Sequence, residues 1–396
     1  MALVPVEITE GTGPLVEPLP FSMDEYARRL RALRAELAVA DLDAFIAFGP
    51  ENINYLTGHD TPAYQYLQAC VVTHDGPPVN LLRSIDASNT LLRSWSRRAV
   101  AYADHDDPVA VLVALVRQLV PQGARIGAED GAFFVTPRRY RQLEGALETA
   151  GWVLVNSHLV EELRLIKSAE EMAKIRLAGR ITTRAMQAAI ETATEGVSEN
   201  AIAAAVWAEL VRHGGEFPGL PPFIVSGPRS SLGHATWSKR CLAWGDALNF
   251  EIPGVVARYV APLFRTGSVG EPTPAMRAIE AACLSSLDLL LPAIRPGVRI
   301  AELHRLNTEN FARRGFTLGH RTGYSVGVGY APDWGEGDTL SIVDGETREL
   351  AAGMVFHLVP GIYLPGRMAV VISETVAVTA DGVDRITNFP QPIFVV

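Results

Sequence analysis

Cysteine is scarce in this chain and basic charge is in deficit. Cys70, Cys241 and Cys283 are the only three cysteines in 396 residues. They lie far apart, with no CxxC and an odd count, which fits buried thiols in a reducing compartment better than a disulfide framework. Against 44 Asp+Glu there are only 35 Lys+Arg, a formal net charge of -9. The average surface would repel a phosphate backbone, so nucleic acid is not an expected partner. Long apolar runs are missing too. The longest aliphatic stretches, such as Val109 to Val116, are too short to span a bilayer, and the opening MALVPVEITEGTG has no basic start followed by an apolar run. The expectation is a cytoplasmic protein that does not engage a membrane.

Several catalytic signatures are also absent. Nine histidines include no HExxH and no pair at helical spacing, and no DxD falls on a strand, so the metal signal is weak. No GxxxxGK[ST] occurs, no GxGxxG follows a strand, and there is no GxSxG elbow. Nucleotide-phosphate cradles and a serine nucleophile on a strand-to-helix turn are thereby set aside.

What is present is globular. Hydrophobic residues make up 48% and charged residues 20%, and the length exceeds what one core usually supports, so two domains are expected. After a Pro-rich lead, Ser22 and Glu25 form a capping-box pattern ahead of an apolar face of Tyr26, Leu30, Leu33 and Leu37. Short apolar strands (DAFIAF, ACVVT, VNLLR, AVAYA, WVLV) then alternate with helical stretches such as Val109 to Leu119 and Pro137 to Thr149, the rhythm of an α/β layer over residues 1–160. A second capping-box pattern, Ser168 and Glu171, opens a long helix. A helix from Glu199 to His213, a strand pair around LNFEIPGVVARYVAPLF, two helices within Pro274 to Arg314 and a strand-rich tail from Gly323 make residues 161–396 an α+β domain. No internal repeat stands out.

Polar residues in apolar or Gly-rich strand contexts are the candidates for chemistry: His234 in GHATW, Glu251 in NFEIPG, His320, Arg321 and Tyr324 in GHRTGYS, His357 in FHLVPG and Glu374 in VISETVAV. A charge inside a strand-like stretch is costly unless it is paired or used, which singles out Glu251 and Glu374. Either could instead project from a solvent face, and His320 and His357 could be core histidines satisfied by backbone carbonyls. His234 falls on a loop, where function concentrates.

NINYLTG (52–58), the helix beginning LRLIKSAEEMAKIR, the GD…Y…RT…G frame from Gly245 to Gly270 and the GM…P…ETVAVT tail resemble the creatinase, prolidase and aminopeptidase P superfamily over nearly the whole chain. The resemblance implies a smaller amino-terminal α/β domain, a carboxy-terminal pita-bread domain, and a homodimer in which the partner's first domain helps close the active site. In the metallopeptidase branch two Asp, one His and two Glu hold two metals. Those positions fall here on Glu251, Pro262, Tyr324, Val359 and Ser373, so no metal or other cofactor is expected. GHATWSKR is similar to the histidine motif of creatinase, which would make His234 a proton-transfer residue. The glutamates with which creatinase clamps a guanidinium fall on Phe264 and Val359, which argues against creatine. RYVAPLFRT, GYSVGVGYAPDWGE and GMVFHLVPGIY look most similar to ectoine hydrolases, which carry a His-Cys pair where this chain has Val260 and Ala261.

The resemblance implies hydrolysis of a C–N bond in a small polar molecule such as a cyclic amidine carboxylate. Glu251 would pair with the amidinium or attack its carbon, His234 would act as base and then acid, and Tyr324 would donate to developing negative charge. Glu374 would orient His234 or His320, Arg321 or Arg265 would hold the substrate carboxylate, His320 and His357 would complete the binding set, and Tyr64, Gln65 and Arg83 of the partner's first domain would form the lid. Two other readings stay open: a hydrolase or lyase acting on a different small guanidino or amide metabolite, and a pita-bread module that has lost catalysis and only binds.

Overall fold

A computed structural model describes residues 6–396 and divides the chain into two units, the first ending at Arg164 and the second beginning at Leu165. In the first unit the order is β1 (Thr9–Glu10), α1 (Met23–Val39), β2 (Ala44–Ala47), α2 (Pro50–Thr57), β3 (Ala69–Thr73), β4 (Val79–Arg83), α3 (Ala87–Arg93), β5 (Arg98–Tyr102), α4 (Pro108–Leu119), β6 (Arg125–Ala128), α5 (Pro137–Thr149), β7 (Val153–Asn156) and α6 (Leu159–Arg164). A border at 160/161 would cut α6. The strands form one mixed sheet in the order β1-β5-β4-β3-β2-β6-β7. Strand alternation gives this sheet a core on each face. Ala44 and Ile46 of β2 pack with Leu112 of α4 and Leu143 of α5, whereas Phe45 and Ala47 pack with Leu30 and Leu33 of α1 and Ile53 of α2. Two strands of this unit gave no signal in the sequence: the two-residue β1 in the Pro-rich lead, and β6, whose RIGA has an Arg and a Gly and little β-branched bulk.

In the second unit come α7 (Ala169–Thr192), α8 (Glu199–Arg212), β8 (Phe223–Ser226), β9 (Ala247–Val256), β10 (Tyr259–Ser268), α9 (Pro274–Ala293), α10 (Ile300–Arg313), β11 (Gly323–Ser325), β12 (Ser341–Ile342), β13 (Val355–Leu358), β14 (Gly361–Leu364), β15 (Met368–Val371), β16 (Glu374–Val378), β17 (Val383–Arg385) and β18 (Phe394–Val395). Three sheets result, β18-β10-β9-β8, β12-β11-β13-β16-β17 and the pair β14-β15. Residues of α7 and α8 share a core with β8, β9 and β10 (Ala185, Val206, Ile224, Phe250, Leu263), while α9 and α10 share another with β13, β15 and β16 (Leu287, Leu303, Phe356, Val370, Val376). A helix pair followed by antiparallel strands therefore occurs twice. Among the described residues no helix is long and apolar enough to cross a membrane.

The β9–β10 hairpin positions the site. Val256 pairs with Tyr259, leaving a two-residue loop in which Ala257 (φ 50) and Arg258 (φ 68) both adopt the left-handed region, as a type I′ turn requires. Neither residue favours that conformation. The Glu216 carboxylate stabilises it by accepting from both loop N–H groups, at 2.8 and 2.9 Å. Two residue pairs from the turn the hairpin is held by α7, which carries a complete capping box at Ser168 and Glu171. Thr182 on α7 donates through Oγ1 to Ala261 O at 2.7 Å and accepts from Gly254 N–H at 2.8 Å, fastening the helix to both strands.

This contact needs a glycine at 254, because a Cβ there would sit 2.4 Å from both Ala178 O and Thr182 Oγ1. Gly254→Ala is expected to lower stability by about 1–3 kcal/mol in urea melts, the range for overpacking. Gly145→Ala, on an exposed part of α5 where a Cβ meets nothing within 4 Å, is expected to raise it by about 0.5–1 kcal/mol.

Candidate active site

Directly opposite residues in an antiparallel sheet point to the same face. Glu251 on β9 is opposite Phe223 on β8 and Phe264 on β10, so its carboxyl stands between two phenyl rings. These residues form the floor of a cavity of about 490 Å³ lined entirely by the second unit. His234, His320, Arg321, Tyr324 and Asp333 also line it, with Trp334, Val359 and Tyr363 among the remaining walls. Five sequence candidates (His234, Glu251, His320, Arg321 and Tyr324) are thus brought to one cavity.

Their environments differ. Glu251 is buried, and among the described residues no group donates a hydrogen bond to its carboxyl; the nearest partner is His357 Nδ1 at 4.0 Å. Burial, with the charge of Asp333 adding to it and Arg321 opposing, pushes the Glu251 carboxyl up to about 8. Arg321 donates to Ser341 Oγ at 3.1 Å and lies 4.1 Å over the Tyr324 ring, with no carboxylate partner among the described residues. Gly337 makes room for it, since a Cβ there would fall 2.3 Å from its Nη1. His234 is exposed in the left-handed region (φ 56), with its ring 5.6 Å from that of Phe223. His320 has a backbone carbonyl at each ring nitrogen, Arg321 O at 2.8 Å and Gly361 O at 3.2 Å, which is the core-histidine arrangement even though the ring reaches the cavity.

Three candidates do not face the cavity. His357 is wholly buried behind Tyr324, with Nδ1 3.0 Å from the Tyr324 hydroxyl and Nε2 2.7 Å from Ser373 Oγ. It reaches no substrate; burial and the nearby Arg321 and Arg265 lower its pKa to about 3, so the ring is neutral. Glu374 does not orient His234 or His320. Its carboxylate accepts from Arg265 at 2.9 Å, Arg385 at 2.8 Å and Gln391 at 3.0 Å. Arg265, expected as a carboxylate binder, is itself buried and spends its guanidinium on Glu374 and on the carbonyls of Phe264, Phe389 and Pro390. Ion pairs that close on themselves in the interior hold strands together and leave nothing for a ligand. Of the residues expected as a lid, Tyr64 is buried with its ring 4.8 Å from that of Phe134, Gln65 is exposed, and Arg83 pairs with Asp104 and stacks over Tyr66, all within the first unit.

Asp333 is not among the residues expected from the sequence, although it lies in the GYSVGVGYAPDWGE stretch. It lies at the cavity wall, its Oδ1 accepting from Trp334 N at 2.6 Å, and its charge acts on Glu251. The last residue of that block, Glu336, is buried against Lys167 at 2.6 Å. Only tertiary structure separates the two acids.

An α/β unit followed by this α+β unit is the architecture of solved prolidases and related dipeptidases. The prolidase from Thermococcus sibiricus superposes with a TM-score of 0.84 at 21% identity, covering 95% of this chain and 100% of that one, and the dipeptidase PepE from Mycobacterium ulcerans with 0.79 at 28%, covering 95% and 99%. Residues 29–166 match the creatinase/prolidase N-terminal domain and residues 173–380 match metallopeptidase family M24. The chain belongs to that family of hydrolases. Its curated relatives include an uncharacterised hydrolase/peptidase, y4tM, from Sinorhizobium fredii (32% identical over 95% of this chain and 99% of the relative) and the ectoine hydrolase of Halomonas elongata (29%, over 95% and 98%).

The family name implies metal, and the residues here do not fit a dinuclear centre. Of the five positions on which the resemblance places the metal ligands, Pro262 and Val359 present only hydrocarbon, the Tyr324 and Ser373 hydroxyls are engaged by His357, and Glu251 alone offers a carboxylate. Among the described residues no group of three His, Cys, Asp or Glu is placed to hold an ion.

Substitution separates the two buried acids by sign. The Glu251 carboxyl, at about 8 in the folded chain, lies above the roughly 4.3 of an unfolded one. Its contribution to stability is fully present below the unfolded value and is lost as pH rises through about 8. Glu251→Gln is therefore expected to match the wild type near pH 4 and to exceed it by on the order of 4 kcal/mol at about pH 9 in urea melts. Glu374→Gln, which strips the partner from buried Arg265, is expected to lose about 3–5 kcal/mol at neutral pH.

Proposed function

We propose that the protein is a metal-independent hydrolase that cleaves a C–N bond of a small zwitterionic amidine or amide, an ectoine-like ring being the best fit. The observation that carries this is the Glu251 carboxyl, held between two phenyl rings without a protein donor, in the same cavity as a guanidinium that lacks a carboxylate partner. A buried acid so placed is completed by a cationic, planar hydrogen-bond donor, and an unpaired guanidinium by a carboxylate. A cyclic amidine bearing a carboxylate supplies both.

Before a cation binds beside it, the Glu251 carboxyl keeps its proton near neutral pH. An amidinium beside it replaces that proton as the compensating charge, so the acid and the substrate hold one proton between them. Asp333 adds negative potential on the same side, and Phe223, Phe264 and Trp334 exclude water from the pair. His234, exposed at the cavity, is placed to take a proton from the attacking water and return it to the departing nitrogen. Tyr324 contributes a phenol whose pKa is held well above its ordinary value, by burial first and by Glu251 second, so that it stays protonated and donates. The Val260–Ala261 departure from the ectoine hydrolases does not weaken this reading, because both residues are buried and neither lines the cavity.

Mass-spectrometric turnover of ectoine, 5-hydroxyectoine, creatine and an Xaa-Pro dipeptide, each with and without chelator, tests the proposal. Ring opening of ectoine or its hydroxy form is expected to survive chelation and to fall at least about 100-fold in Glu251→Gln and His234→Ala. Dipeptide cleavage abolished by chelator would establish a metallopeptidase in its place.

A further inference from the structure

The hydrogen bonds behind Tyr324 form a chain whose direction can be worked out from its donors. Phe264 N–H donates to Ser373 Oγ at 2.7 Å, Ser373 Oγ lies 2.7 Å from His357 Nε2, His357 Nδ1 lies 3.0 Å from the Tyr324 hydroxyl, and Trp334 Nε1–H donates to that same hydroxyl at 2.8 Å. Both ends are fixed. The amide and the indole can only donate, so Ser373 Oγ and Tyr324 Oη each accept at least once.

A neutral His357 carries one ring proton, and only two arrangements are open. With the proton on Nε2, the ring donates to Ser373 and accepts from Tyr324. The hydroxyl proton of Ser373 then has no acceptor, since this side chain is wholly buried and its hydroxyl meets only Phe264 N–H and the His357 ring. With the proton on Nδ1, Ser373 donates to Nε2 and the ring donates to Tyr324, so the wholly buried Ser373 hydroxyl is matched and the proton left over is that of Tyr324, a residue that lines the cavity. A buried hydroxyl without an acceptor loses its hydration and gains nothing in return, which selects the second arrangement. The Tyr324 oxygen then accepts from both His357 and Trp334. Its own proton has to leave in the remaining direction, away from those two groups, and Tyr324 lines the cavity.

We propose that Ser373 and His357 are positioning residues which, through the Nδ1–H tautomer of His357, hold the Tyr324 hydroxyl as a one-way hydrogen-bond donor into the cavity. The low pKa of His357 keeps the ring neutral, so the direction of the chain does not reverse through protonation in the physiological range. The arrangement accounts for the unusual chemistry of two of the positions that correspond to metal ligands. Tyr324 and Ser373 are the two ends of a relay through one buried imidazole, and the group presented to the cavity is a neutral donor where the fold's metal-binding members have a Lewis acid. The tautomer does not depend on which substrate the cavity takes; its use in stabilising developing negative charge rests on the hydrolase reading above.

The test is the histidine-ring NMR of the full-length protein labelled with ¹⁵N-histidine, with the His357 signals identified by their absence in His357→Gln and by their shift in Tyr324→Phe. A single proton on Nδ1 at neutral pH is expected. A proton on Nε2, or on both nitrogens, overturns the proposal. This arm needs no substrate and stands even if ectoine proves inert. Where ectoine is turned over, Ser373→Ala is expected to lower kcat about tenfold or more with little change in KM, and Ser373→Thr, which keeps the hydroxyl, to restore it; equal activity in Ser373→Ala and wild type would remove the positioning role.

Discussion

A carboxyl pressed between two phenyl rings is the constraint around which the second unit is organised. Among the described residues Glu251 receives no hydrogen bond, Arg321 offsets its charge only in part, and burial raises its pKa to about 8. A fold retains such a group only if the surrounding strands leave it no alternative place. The register of three strands does so: Phe223, Glu251 and Phe264 are mutually opposite, and shifting β9 by one residue would turn Glu251 to the face that packs on α7 and α8. The Thr182 fastening and the Glu216-supported turn at the far end hold that register.

Two clusters of buried polar residues lie close together in this unit and do opposite work. Arg265, Glu374, Arg385 and Gln391 pair with one another and with nearby carbonyls, so their charges are spent on holding β10, β16 and the carboxy-terminal segment together. Glu251, Arg321 and Asp333 leave capacity unused towards the cavity. The difference is not one of residue type, since each set contains an acid in a buried strand and an arginine near it. It is whether hydrogen-bonding capacity is exhausted within the protein, and that depends on which strands are neighbours.

Between these clusters, His357 belongs to neither. It is neutral, hidden from the cavity and satisfied by two hydroxyls. Its strand, β13, is central in the five-stranded sheet, between β11 and β16, which places Tyr324 directly opposite it and leaves Ser373 just before β16 on the other side. A rigid central strand is a suitable place for a group whose value lies in its orientation.

Local information in the chain was sufficient for the helices and most of the strands. Ser168 and Glu171 specify where α7 begins, and the apolar runs in DAFIAF and LNFEIPGVV specify buried strands, because capping and a short apolar run are properties of a few consecutive residues. The same information marked Glu251 and Glu374 as anomalous charges, and residue-by-residue resemblance marked Pro262, Tyr324, Val359 and Ser373 as departures from the metallopeptidase pattern. What the sequence could not decide was which anomalous charge is free. Arg265 and Glu374 are 109 positions apart, and Ser373 meets Phe264 across the same gap. Only the packing of the sheet that holds β10 against the sheet that holds β16 brings them together. Likewise Asp333 and Glu336, three residues apart, diverge into cavity and core, and the direction of the hydrogen bonds through His357 exists only once Tyr324, Ser373 and Trp334 surround it. Pairing energies and hydrogen-bond direction are properties of contacts, and contacts at such sequence separations are set by the tertiary fold.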